Sequence, residues 1–196
     1  MRQRISFVFI VAIVILAMVV VEATGEEAEP FSFRNGVTFG MSAGEIIAIE
    51  SAQNFVDKDT WHTEMVHAWT SLNRGPEYDI KISQYTGCIE YLLLNNAMQV
   101  AYYDIATNGE DEVYQNITKA LSSVYGDYEE VDSETISSVM WTIYPSYIDP
   151  GVSEARVWKR HNVIIYQFVD KYGHLTILYL NPAFDYANPP IDVTGL

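Results

Sequence analysis

The chain has 196 residues, 26 acidic against 11 basic side chains, a net charge of −15 and one cysteine. One domain of this length can bury a real core, and the cysteine count excludes an internal disulfide. The negative charge repels nucleic acid and anionic lipid heads, whose binding depends on Lys and Arg, so no nucleic-acid partner is expected. A basic protein or peptide is the partner that such a field attracts.

Met1-Arg2-Gln3-Arg4 is a short basic start, and Ile5 to Val21 is a run of seventeen residues, apolar but for Ser6. The run closes on Val21-Glu22-Ala23, with Ala23-Thr24-Gly25 as a second small-residue exit. Basic, apolar, then small is the layout of a secretory signal, so residues 1–23 are expected to be cleaved and the protein to be secreted or extracytoplasmic. The alternative is an uncleaved N-terminal membrane anchor, for which the run is short. Nothing later in the sequence is long and apolar enough to span a bilayer. Cleavage would remove two of the basic and one of the acidic residues, leaving a net charge of −16.

Residues 24–30 read as a disordered acidic lead-in, and a single α+β domain is expected over 31–181, followed by a loose tail at 182–196. Phe31, Phe33, Val37 and Phe39 suggest an extended entry broken by an Asn35-Gly36 turn. Ser42 with Glu45 three residues on is a capping box, which predicts a helix over about 42–53. Trp61, Met65, Ala68, Trp69 and Leu72 recur at helical spacing and predict a second helix near 59–72, stopped by Asn73-Arg74-Gly75-Pro76. Ile80 and Ile82, then Ile89, Tyr91 and Leu93 after Thr86-Gly87, then Met98, Val100 and Tyr102 after Asn95-Asn96, alternate with period two. Such runs with short polar connections predict antiparallel neighbours.

After Asn108-Gly109, the stripe Val113, Ile117, Ala120, Leu121 and Val124 predicts a long helix, with Glu110 to Glu112 at its positive end and Gly126 at its exit. Asp127 to Glu134 reads as a solvated loop. Strands are predicted at about 136–144, 154–160, 162–169 and 174–180. The whole is one curved antiparallel sheet of about six to seven strands with helices packed on one face. Two tandem helix-then-meander units, 31–107 and 108–181, are suggested by aligning Ile89-Glu90-Tyr91 with Ile164-Ile165-Tyr166, and Met98, Val100 and Tyr102 with Leu175, Ile177 and Tyr179. On that reading Tyr91, Tyr102, Tyr166 and Tyr179 face inward.

The opening Phe33-Arg34-Asn35-Gly36-Val37-Thr38-Phe39-Gly40-Met41-Ser42 with Glu45-Ile46, and the helix Tyr114 to Gly126 ending in Tyr-Gly, resemble small exported bacterial proteins. The fold implied by the resemblance is a β-lactamase-inhibitor-protein-like repeat of helix and antiparallel sheet. The resemblance leans toward binding and carries over no functional residue.

Gly40-Met41-Ser42-Ala43-Gly44 fits the G-x-S-x-G nucleophile elbow. Ser42, however, is already expected to cap a helix, too few residues precede it to build the sheet beneath an elbow, and His161 and His174 lie in or beside hairpins. His62, Glu64 and His67 give at best two zinc ligands on one helix face, where three or four are needed. Asp104 to Gln115 has Asn108-Gly109 placed as in a calcium loop, but Ala106 and Gln115 stand where ligands belong. Asn116-Ile117-Thr118 matches a glycosylation sequon within a helix. Cys88 reads as a small buried strand residue. No catalytic residue, metal ligand or cofactor is therefore assigned. Trp61, Trp69, Tyr144 and Tyr147 are the candidates for an exposed aromatic patch. The expected function is an exported, non-enzymatic binding module for protein or peptide; the alternative is a small secreted serine hydrolase using Ser42.

Overall fold

The computed structural model describes residues 31–53, 72–82, 85–107, 111–143, 151–152 and 154–184. The expected signal, the acidic lead-in, the helix over 59–71, the His62/Glu64/His67 group, the Asn108-Gly109 turn, the four patch candidates and the tail beyond Phe184 lie outside the described residues. No helix among the described residues is long and apolar enough to cross a membrane.

The chain is an α+β protein built on one open seven-stranded sheet. Helix α1 (Ala43–Ala52) precedes strands β1 (Leu72–Ile82), β2 (Tyr85–Leu94) and β3 (Ala97–Ala106); α2 (Asp111–Tyr125) precedes the two-residue β4 (Glu129–Glu130), α3 (Ser133–Ile143), β5 (Ala155–Arg160), β6 (Val163–Val169) and β7 (His174–Leu180). The strand order is β1-β2-β3-β7-β6-β5-β4, and every pairing is antiparallel. Each helix-led meander thus lies on its own side of a seam where β3 meets β7, from Val100↔Leu180 to Ala106↔His174.

One face carries the larger core. Phe31, Phe33 and Val37 from the entry segment, Ile46 of α1, and Tyr114, Leu121 and Tyr125 of α2 close over Tyr78, Tyr91, Tyr103, Trp158, Ile165 and Tyr179 of the sheet. The ring of Phe33 meets those of Tyr91, Tyr103 and Tyr179 at 6.0, 5.5 and 4.9 Å. Aromatic pairs of this kind contribute about 0.5–1.5 kcal/mol each beyond area burial. The entry segment is fastened at the far end, where Gly40 N–H donates to Met98 O (2.9 Å) and Met98 N–H to Met41 O (2.8 Å). Its turn at Arg34–Gly36 puts Asn35 and Gly36 at φ 56° and 86°, left-handed conformations that Asn and Gly tolerate best.

The buried line of α2 runs Tyr114, Thr118, Leu121, Tyr125. That is one residue round from the predicted stripe, and Val124 is exposed. Trp158 draws the helix this way, because its indole N–H reaches Gly126 O at 3.1 Å beyond the last turn.

The other face holds a second core, formed by Leu92, Val100, Tyr102, Phe168, Leu178 and Leu180 with Ile136, Met140 and Ile143 of α3. Here the structure corrects the sequence reading: 136–144 is not a strand. Ile136, Met140 and Ile143 are buried at helical spacing, and Asp132 Oδ1 accepts the Thr135 N–H at 2.7 Å as a helix cap. The predicted loop Asp127–Glu134 accordingly contains β4, that cap and the first residues of α3. While α1 and α2 share one face, α3 adds its apolar side to the opposite one.

Three further corrections concern strands. Leu72 to Pro76 belongs to β1 rather than to a helix stop, with a register shift between Arg74 and Glu77. Gly75 lies flush on β2, where an added Cβ would sit 2.6 Å from Tyr91 O and collide with Leu93. Thr86-Gly87 is strand, not turn; Gly87 is needed because a Cβ there would stand 3.0 Å from Ile105 Cα. Finally, the pairs Leu92↔Val100 and Leu93↔Met98 leave Gln99 as an extra residue. This bulge reverses the phase of β3. Met98, Ala101 and Tyr103 face the first core, whereas Val100 and Tyr102 face the second, so Tyr102 and Tyr179 lie on opposite sides of the sheet.

Candidate functional site

The second face is not uniform along its strands. Under α3 it is apolar, but toward the other strand ends the register sets polar side chains in rows. Asp79, Cys88, Asp104 and Thr176 are successive cross-strand partners, and Ala106 lies opposite His174. Directly opposed residues of antiparallel strands share a face, so β1, β2, β3 and β7 each contribute to one surface. Asp79, Thr86, Gly87, Cys88, Asp104, Ala106 and His174 line a depression there of about 250 Å³. The short side chain of Ala106 leaves space, the Gly87 backbone lies along it, and the longer side chains edge it.

Within this surface His174 Nδ1 and Asp104 Oδ1 are 2.9 Å apart, both partly exposed. A carboxylate so placed orients the imidazole. Asp79 is exposed, and Cys88, expected to be a small buried strand residue, is half-buried. Carboxylates on both sides of Cys88 are the wrong neighbours for a nucleophilic thiolate, which needs a cation at hand. The arrangement suits recognition of a cationic or hydrogen-bond-donating group better than covalent chemistry.

Ser42 lies elsewhere, at the start of α1. Its hydroxyl donates to Glu45 Oε2 (2.7 Å) and accepts from Glu45 N–H (3.3 Å), while Ser42 N–H donates to the same carboxylate (2.8 Å). The backbone N–H of Ser42, and then its hydroxyl, hold the Glu45 carboxyl below its ordinary value. The Gly40–Gly44 segment therefore serves as a capping box joined to β3. His161 lies apart from His174, lining a depression of about 410 Å³ with Phe31, Phe39 and Pro182. The suspected calcium-loop residue Asp104 is a strand residue paired with His174. No group of three or more metal-capable side chains occurs among the described residues.

Two buried polar clusters escaped the sequence reading. Glu50 of α1 is fully buried and receives Arg34 Nη2 (3.1 Å), Asn35 Nδ2 (3.2 Å) and the Tyr91 hydroxyl (2.6 Å). Burial, and then the Glu50 charge, push the Tyr91 hydroxyl far above its ordinary value, and burial raises Tyr103 to about 12. Beneath α2, Gln167 Nε2 donates to Tyr114 O (2.9 Å), and Thr118 Oγ1 meets both Gln167 and Arg156. The Arg156 guanidinium also lies 4.6 and 4.8 Å from the ring centres of Tyr114 and Tyr128. These clusters fix the helices to the sheet. The one available signal was the pair Arg34-Asn35 ahead of an otherwise apolar helix.

Compared with known proteins, the chain matches no family model, no curated protein and no solved structure.

Proposed function

We propose that this is an exported, non-enzymatic binding module for a basic protein or peptide, acting through the polar end of the second sheet face. The observation that carries the reading is the convergence of Asp79, Asp104 and His174 around one depression on a chain of net charge −15. Two carboxylates at the rim of the depression offer acceptors for a Lys or Arg side chain, and the surrounding negative field raises the encounter rate with a cationic partner. The signal-like first 23 residues support export, and the resemblance of the Phe33–Ile46 opening to small exported proteins supports binding over catalysis.

The test is fluorescence anisotropy of a Lys- and Arg-rich peptide and its Glu-rich counterpart, titrated with the chain from residue 24 onward. Binding of the basic peptide alone, weakening with salt and at least about threefold weaker in Asp104→Asn, is expected for a rim charge contributing up to about 1 kcal/mol. Equal binding of both peptides, or no response to Asp104→Asn, would remove this surface from the account. As a direct readout, a photo-crosslinker on Cys88, the chain's single thiol, should label the bound basic peptide.

A further inference from the structure

We infer that the β4 edge of the sheet is a second docking surface, which takes an extended segment with two consecutive basic residues as an added antiparallel strand. Among the described residues β4 has a strand on one side only, β5, and β6 lies between β5 and the strand of His174. The residues on either side of β4 are described, and Gly126 to Glu130 are all exposed. Glu129 and Glu130 oppose Val157 and Arg156, and Val131 N–H donates to Ala155 O at 3.1 Å. Alternate residues of an antiparallel strand turn their N–H and C=O to the same side. Glu129 and Val131 therefore bond to β5, while Glu130 turns its backbone groups outward. Tyr128 continues the alternation, with its ring 5.5 Å from that of Trp158, the next residue along β5. The outward backbone groups of Tyr128 and Glu130 have no hydrogen-bond partner among the described residues.

The side chains select the strand that fits. Directly opposed residues share a sheet face, so Glu130 stands with Arg156 and Tyr128 on the face that α2 covers. Glu129 stands on the other face, where it meets Lys159 at 2.6 Å and its side chain is still 66% exposed. Asp127 and Asp132 flank the pair, both exposed. Successive side chains of a strand point to opposite faces. One Lys-Arg dipeptide in an added strand therefore meets both glutamates at once, with a charge on each side of the sheet. Opposite charges directly across an antiparallel pair are favourable and like charges are not. A short charged edge normally guards a sheet against association. Here the guard has a single sign, so it repels a second copy of β4 and admits a basic strand, which is selectivity by repulsion of the wrong partner.

The experiment is an NMR titration of the isotopically labelled chain from residue 24 onward with the blocked peptide Thr-Val-Lys-Arg-Val-Thr, with thermal unfolding to confirm that each variant is folded. Affinity is read at the Tyr128 and Glu130 amides, so that peptide held separately at the Asp104 depression is not counted. Those two amides face water in the free protein and should exchange at least about tenfold more slowly at saturation, because new ladder bonds protect them. N-methylation of the peptide Lys, whose N–H faces Glu130, should weaken binding at least about fivefold. N-methylation of the Arg, whose N–H points away from the sheet, should leave it unchanged. Glu130→Lys should weaken binding at least about threefold by placing like charges across the pair, while Asp104→Asn should have no effect at these amides. Amides that stay unprotected at millimolar peptide would overturn the inference, as would equal effects of the two N-methyl groups. A response at these amides to Asp104→Asn but not to Glu130→Lys would also overturn it, and would assign the peptide to the depression alone.

Discussion

Glu50 and Arg156 are the buried charges beneath the two helices of one sheet face, and they are held in different ways. Glu50 sits in the last turn of α1, where the negative end of the helix opposes a carboxylate. It is wholly buried and depends on Arg34, Asn35 and Tyr91. Arg156 lies on β5 between two tyrosine rings, keeps a small exposure and has its acidic partner Glu154 at 3.6 Å on the surface. Removing a partner from the first cluster leaves a charge in the core. Removing the charge from the second leaves Thr118 and Gln167 still bonded to each other and to Tyr114 O. The comparison separates a cluster that is needed to neutralise a charge from one that mainly adds packing and hydrogen bonds.

The largest effect is expected from Arg34→Met, which should lower unfolding free energy by about 3–5 kcal/mol by stranding Glu50. The double variant Arg34→Met, Glu50→Met should lose less than the single; urea titration checks both, and equal losses would break the distinction. Alkali comes next. Tyr103 and Tyr114 are raised to about 12, chiefly by burial, and Tyr91 and Tyr179 are also raised. Because the folded state disfavours the phenolates, stability is whole below pH 10 and lost between pH 10 and the folded values near 12. The slope should reach on the order of 1.4 kcal/mol per pH unit for each such tyrosine, measured by urea midpoints across that window. Arg156→Met should cost about 1–2 kcal/mol through lost hydrogen bonds and ring contacts. Last, Glu154→Gln should change stability by under about 0.5 kcal/mol, since its side chain is 55% exposed.

Hairpins and caps were the legible part of the fold. Asn95 and Asn96 both take positive φ at the β2–β3 turn, as their residue types suggest, and Ser42 with Glu45 forms the capping box that their spacing predicts. The α3 segment was misread because Ile136, Val139, Thr142 and Ile143 are β-branched, while the periodicity of Ile136, Met140 and Ile143 extends over only two turns. The phase of β3 was hidden because one inserted residue, Gln99, exchanges its two faces without altering local composition. Glu50 was invisible for a different reason: an acidic residue near a helix end reads as solvated unless the Arg that covers it is known. The candidate site depends on pairing across four strands, with Asp79 and His174 ninety-five positions apart. No local pattern assembles such a set.

Phe31 stacks on Tyr179 at 5.9 Å, joining the first described residue to the last strand. During synthesis Phe31 can meet Phe39 early, but its contact with Tyr179 must await the emergence of β7. The contact makes completion of the core a late, nonlocal event. A nascent chain without β7 lacks the strand that joins its two meanders into one sheet.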